Sequence, residues 1–182
     1  MILLGANDAS LSVPTNRQHV PIDEYKKNLQ IIINHPRITA HAPRILLVAP
    51  PPVNELKTQQ LDTAEGHAGA IRTSAVSASY SQKAREVASE NENVVLIDLW
   101  KGIMDKAISM SPEAYLKGGP WLGSPENGKA GGLEQLLPDG LHMSGDAYRV
   151  LFDLLMKHFD GAEQEYVLPE WKRINPPNLP AK

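Results

Sequence analysis

The chain has 182 residues, 42% of them hydrophobic and 21% charged, which is ordinary globular usage and excludes wholesale disorder. Its 18 Lys and Arg against 21 Asp and Glu give a formal charge of -3 without a basic block, so nucleic acid is not an expected partner. The absence of cysteine excludes a disulfide scaffold, a Cys-based zinc site and a cysteine nucleophile, and no apolar run reaches the roughly 18–20 residues of a membrane helix.

Met1-Ile2-Leu3-Leu4 opens the chain as an apolar strand-like run, too short for a signal-peptide core. After Pro21, apolar residues at Ile22, Tyr25, Leu29, Ile32 and Ile33 predict a helix with proline in its first turn. Arg44 to Ala49 is near-continuously apolar and stops at Pro50-Pro51-Pro52, which cannot donate to a ladder. A weaker helical stripe, Val76, Tyr80, Ala84 and Val87, runs within 71–88. Val94 to Ile97 is a third apolar run, ending at Asp98, and a helix around Trp100, Ile103, Met104, Ala107 and Ile108 follows it. Strands that do not alternate with polar residues are those covered on both faces, as in parallel sheets. Residues 110–132, rich in Gly, Pro and Ser, read as a long surface loop. The strongest helix follows His142, with Ser144 as its N-cap and Tyr148, Leu151, Phe152, Leu155 and Phe159 along one face.

This alternation predicts an α/β three-layer sandwich with a parallel sheet and helices on both faces. Residues 1–165 are expected to form one domain and 166–182 a Pro-rich tail carrying Pro169, Pro176, Pro177 and Pro180.

Two loops could carry chemistry. Gly5-Ala6-Asn7-Asp8 directly follows a strand, at the sheet edge where open α/β folds bind ligands. There Gly5 permits a tight turn and Asn7 can aim an amide at a developing oxyanion, although Asn-Asp also suits a plain turn. Asp139-Gly140-Leu141-His142 sets a carboxylate three residues from an imidazole, the spacing at which one compact turn can hold both for proton transfer. Plain capping residues would look the same. His19, His35, His41, His67 and His158 are scattered without metal-ligand spacing. Gly128-Lys129-Ala130 lacks the pattern of a phosphate loop, and no Gly-x-Ser-x-Gly elbow is present.

Taken together, Gly5-Ala6-Asn7-Asp8 and Asp139-Gly140-Leu141-His142 resemble the SGNH (GDSL-type) hydrolase family. Val48 to Val53, Val95 to Trp100 and Leu136 to Ser144 are similar to its isoamyl acetate-hydrolysing esterase branch. The resemblance implies serine hydrolysis of small acyl esters, without metal or cofactor. It assigns His142 as general base and then acid, Asp139 as the group orienting it, Asn7 as an oxyanion donor and Gly5 as the residue shaping that loop. It implies a small-molecule ester substrate and, with no signal peptide visible, a cytoplasmic location.

The family's nucleophilic serine stands in a Gly-Asp-Ser block near its N-terminus, on the loop after the first strand, and a further oxyanion glycine follows it. Neither block is present, because this chain starts within the strand that carries Gly-x-Asn-Asp. Gly145-Asp146-Ala147 mimics the string without its serine, and Ser10 and Ser12 lack the context. The expectation is therefore a C-terminal portion of the domain, without a nucleophile in this chain, with its three strands parallel in sequence order and Met1 to Leu4 at a sheet edge. The alternatives are a catalytically inactive pseudoenzyme that binds or scaffolds, and a nucleotide-binding α/β domain, against which stands the lack of any Gly-rich phosphate loop.

Overall fold

The computed structural model describes residues 1–14 and 16–159. The expected tail at 166–182 and the end of the expected domain therefore lie outside the described residues. Strands β1 (Ile2–Leu3), β2 (Ile45–Val48) and β3 (Val94–Ile97) form at the three apolar runs and make one parallel sheet in the expected order β1-β2-β3. Ile2 lies opposite Leu47, and Ile45 opposite Val94. Between and after the strands come α1 (Ile22–Ile33), α2 (Pro36–Thr39), α3 (Glu55–Ala64), α4 (Ser74–Ser89), α5 (Leu99–Met110), α6 (Leu133–Leu136) and α7 (Gly145–Met156), with a 3-10 turn at Pro112–Ala114. Among the described residues no helix is long and apolar enough to cross a membrane.

The pleat divides the core in two. Ile45 and Leu47 point to the side where Tyr25, Leu29 and Ile33 of α1 meet Tyr80, Ala84 and Val87 of α4. Val48 and Ile97 point to the other side, among Leu99, Ile103 and Met104 of α5, Leu133 and Leu136 of α6, and Ala147 and Leu151 of α7. Successive strand residues thus serve opposite layers, which is why neither strand shows polar alternation. Lys26 of α1 spans to Glu86 of α4 and to Glu90 at its C-cap, at 3.2 and 2.6 Å, and closes the first layer at its rim.

Several elements differ from the sequence reading. The helix expected from 71 starts at Ser74, because the Thr73 hydroxyl caps it by accepting from the Val76 amide. Its buried face includes Ser77 and Ser81, whose hydroxyls donate to the Pro51 and Pro50 carbonyls at 3.0 and 2.8 Å. The proline run that ends β2 thereby has its oxygens satisfied by side chains. The loop at 110–132 is more than surface: Leu122 is fully buried, and Trp121 sits between the Trp100 and Tyr115 rings, 5.0 and 5.6 Å from their centroids.

In α7 the expected apolar face is only partly the buried one. Ala147 and Leu151 are buried, whereas Tyr148 and Phe152 are exposed, and the helix ends at Met156, short of the expected Phe159, which is exposed too. The helix turns its smaller side chains to α5, where Gly102 leaves room: a Cβ there would lie 2.8 Å from Leu154 Cδ1. Tyr148 and Phe152 stay outward, and Met1 and Leu4 of the edge strand are exposed as well.

At the carboxyl end of β3, Asp98 caps α5 by accepting from the Lys101 amide at 3.1 Å. It also takes both prongs of the Arg85 guanidinium at 2.9 Å. Burial alone would raise this carboxyl, but Arg85 and the Lys101 amide together hold it below the usual range. The native carboxylate therefore binds its proton less readily than the unfolded one, so acid favours unfolding. Replacing Asp98 by Asn should cost about 1 kcal/mol at neutral pH, and by Ala about 2 kcal/mol because the cap is lost too. In urea titrations the wild-type advantage over Asp98→Asn should be complete above about pH 5 and shrink as pH falls through the depressed native pKa.

Candidate active site

The turn between α6 and α7 is folded around one carboxylate. Asp139 Oδ1 accepts from the backbone amides of Leu141 and His142 at 2.9 and 2.7 Å. Its Oδ2 lies 2.6 Å from His142 Nδ1. Burial raises the carboxyl, and the three hydrogen bonds overcome that and leave it below its ordinary value. An ionised carboxylate can only accept, so His142 donates Nδ1–H to it, and in the neutral ring this is the tautomer whose Nε2 carries no proton. Nε2 has no hydrogen-bond partner among the described residues, and the side chain is 80% exposed.

Gly140 makes this turn possible. It adopts φ +85°, and a Cβ there would stand 2.7 Å from the Asn54 carbonyl oxygen and 2.8 Å from Thr58 Cγ2. The Asn54 amide donates to the Gly140 carbonyl at 2.9 Å. The turn is therefore seated on the first turn of α3, a helix the sequence reading missed. Its buried side chains, Thr58 and Asp62, are polar, so no apolar period marks it.

On the other side of the site the chain leaves β1 through Gly5, at φ +115°. A Cβ there would fall 2.8 Å from the Tyr25 hydroxyl, which donates to the Leu4 carbonyl at 3.1 Å. The single helical turn that follows, with the Ala9 amide donating to the Gly5 carbonyl at 2.9 Å, brings Asn7 to the carboxyl edge of the sheet. Asn7 and His142 line the same cleft, of about 210 Å³, together with Leu3, Leu4, Pro51 and Tyr148. A larger depression of about 750 Å³ lies between α3 and the 111–131 segment. Lys57, Glu113, Lys129 and Glu134 line it, and it contains neither Asn7 nor His142.

The four sequence-selected residues are thus neighbours in space: Asn7 and His142 on the cleft, Asp139 behind His142, Gly5 under the loop of Asn7. No described serine hydroxyl hydrogen-bonds the His142 ring. Ser10 is fully buried with its hydroxyl unpartnered, Ser12 is exposed, and Gly145-Asp146-Ala147 is the capped first turn of α7. Among the described residues no group of three His, Asp or Glu side chains could hold a metal ion.

A family model for the GDSL-like lipase/acylhydrolase domain matches residues 1–155. The chain belongs to this family. Curated relatives include the mouse isoamyl acetate-hydrolyzing esterase 1 homolog, 30% identical over 176 residues, 95% of this chain and 61% of that protein. The Saccharomyces cerevisiae isoamyl acetate-hydrolyzing esterase is 27% identical over 95% of this chain and 64% of its own. The chain spans about three fifths of the length of these relatives. In fold it is similar to a lipase/acylhydrolase from Enterococcus faecalis, with a TM-score of 0.55 at 23% identity, over 87% of this chain and 58% of that one.

Two glycines of similar φ should respond differently to alanine. Gly140→Ala meets α3 backbone and should cost about 2–3 kcal/mol, while Gly128→Ala, at φ +73° with nothing within 4 Å, should cost about 1 kcal/mol. Urea unfolding of both variants measures this, and in Gly140→Ala the pairing of Asp139 with His142 should be lost as well.

Proposed function

We propose that the cleft is the acid–base and oxyanion half of a serine hydrolase site for small acyl esters. The observation that carries this reading is the Asp139–His142 pair at 2.6 Å on one cleft with Asn7. In the reaction, His142 Nε2 takes the proton of a serine hydroxyl as its oxygen attacks the ester carbonyl. Negative charge develops on the carbonyl oxygen, where the Asn7 amide donates. Asp139 stabilises the imidazolium formed in between. His142 then hands the proton to the departing alkoxide, leaving an acyl-serine. Water, deprotonated by the same Nε2, hydrolyses that intermediate and restores the serine. The cleft's small volume and its Leu3, Leu4, Pro51 and Tyr148 lining favour a short acyl group, in keeping with the acetate esters in the relatives' names.

The same reading assigns the nucleophile to none of the described serines and expects it from a Gly-Asp-Ser segment outside them. The exposed position of His142 and its lack of a serine partner also favour a second reading, in which this chain binds esters without turning them over.

p-Nitrophenyl acetate hydrolysis, with a mass-spectrometric search for acylated serine, distinguishes them. The 182-residue chain should neither turn over nor be acylated. Joined at its N-terminus to the Gly-Asp-Ser segment of a relative, it should gain turnover, and His142→Ala should then lower kcat by at least about 10³-fold. A folded extended chain that binds the ester but leaves it intact supports the binding protein. Acylation of a serine in the unextended chain contradicts the assignment of the nucleophile.

A further inference from the structure

Arg72 stands directly before the cap of α4, 65 residues from Asn7 in sequence and in contact with it in space. It is 91% buried, since 9% of its surface is exposed. Its Nη2 donates to Asn7 Oδ1 at 3.2 Å and also to Gln18 Oε1, while Nε is buried without a partner. The backbone around it is held from two sides. Asp62 of α3 accepts from the Ile71 amide at 2.8 Å, and the Leu11 amide donates to the Ile71 carbonyl at 2.7 Å. We propose that Arg72 is the positioning residue that fixes the Asn7 carboxamide with its NH2 turned to the cleft shared with His142. This rests on the reading of Asn7 as an oxyanion donor.

Donor chemistry sets the orientation of the Asn7 side chain. A carboxamide has an accepting end and a donating end of nearly equal shape, and either could face the reacting carbonyl. A guanidinium has only donors, so Oδ1 alone can face Arg72, and a flipped Asn7, itself exposed, would oppose donor to donor at a part-buried contact. With Oδ1 held, Nδ2 is the free end, and it makes no hydrogen bond among the described residues. A positive charge on Oδ1 also polarises the amide and strengthens its N–H as a donor. Burial pulls the guanidinium pKa down and Asp62 opposes that shift; an arginine keeps its charge under such conditions. Arg72 does not act on substrate itself. Its contact with Gln18 adds a competing role as a clamp on the 7–18 loop, and the test separates the two.

The contact is tested in the 182-residue chain with Asn7→Asp, which puts a titratable acceptor where Oδ1 stands. Carbon-13 NMR titration of that carboxyl should give a pKa about one unit or more below the ordinary aspartate value, and Arg72→Met should abolish the depression. Equal values in both backgrounds overturn the proposal. Positioning is tested by turnover in the form joined to the Gly-Asp-Ser segment. Arg72→Met should lower kcat about 10–100-fold with KM little changed, Arg72→Lys should recover part of it, and in the Asn7→Ala background the loss should fall below about threefold. An equal loss in both backgrounds makes Arg72 a loop clamp and overturns the proposal while leaving Asn7 an oxyanion donor. Asn7→Ala without effect on kcat overturns the reading of Asn7 and the proposal with it. If Arg72→Met does not fold, Arg72→Lys replaces it in both arms: a smaller pKa depression and a kcat loss confined to the Asn7 background support positioning, and no change in either opposes it.

Discussion

Gly140 packs so tightly against the first turn of α3 that no side chain fits between them, and the site depends on that close approach. Because the Asn54 amide also donates to the Gly140 carbonyl, the turn has one seat and one orientation. Asp139 and His142 flank the glycine and inherit that orientation. The carboxylate then fixes the imidazole from behind with three N–H partners, and α7 begins at Ser144 immediately after. A helix whose own sequence is mostly polar thus positions the Asp139–His142 pair, by offering backbone rather than apolar surface.

The opposite wall is built on a different support. Gly5 passes over Tyr25, whose hydroxyl ties α1 to the end of β1, and the loop beyond is pinned at Asn7 and Gln18 by a single guanidinium from the start of α4. The two walls meet at the carboxyl edge of the sheet because the Asn7 wall follows β1 directly and the Asp139–His142 wall is seated on α3, which follows the parallel strand β2. Asp62 and Thr58 connect them: Asp62 holds the backbone next to Arg72, and Thr58 packs at Gly140 and donates to the Arg72 carbonyl at 3.4 Å. α3 is therefore the shared support of both halves of the cleft.

What the sequence made legible follows from the kind of signal each element carries. The three strands stand out as apolar runs ended by Gly5, Pro50 and Asp98, and their order is expected from right-handed crossovers together with the family resemblance. The Asp139–His142 pair was legible because both groups lie in one turn. By contrast α3 hides its buried face in Thr58 and Asp62, and α4 includes Ser77 and Ser81 where a hydrophobic period expects larger side chains. In α7 apolar residues occupy more than one face, so periodicity alone could not say that Leu151 turns inward while Tyr148 and Phe152 turn out. Arg72 left no local signal, since its partners Asn7 and Gln18 are distant in sequence and nothing in their spacing announces a contact.

The central claim is that Asp139 holds His142 in the tautomer that leaves Nε2 free as a base. Nitrogen-15 chemical shifts of the His142 ring in the 182-residue chain, recorded at about pH 8 where an ordinary imidazole is neutral, read this directly. The account predicts a protonated Nδ1 and an unprotonated Nε2, with the preference lost in Asp139→Ala. A ring found with Nε2 protonated, or averaged between tautomers in the unsubstituted chain, would contradict it.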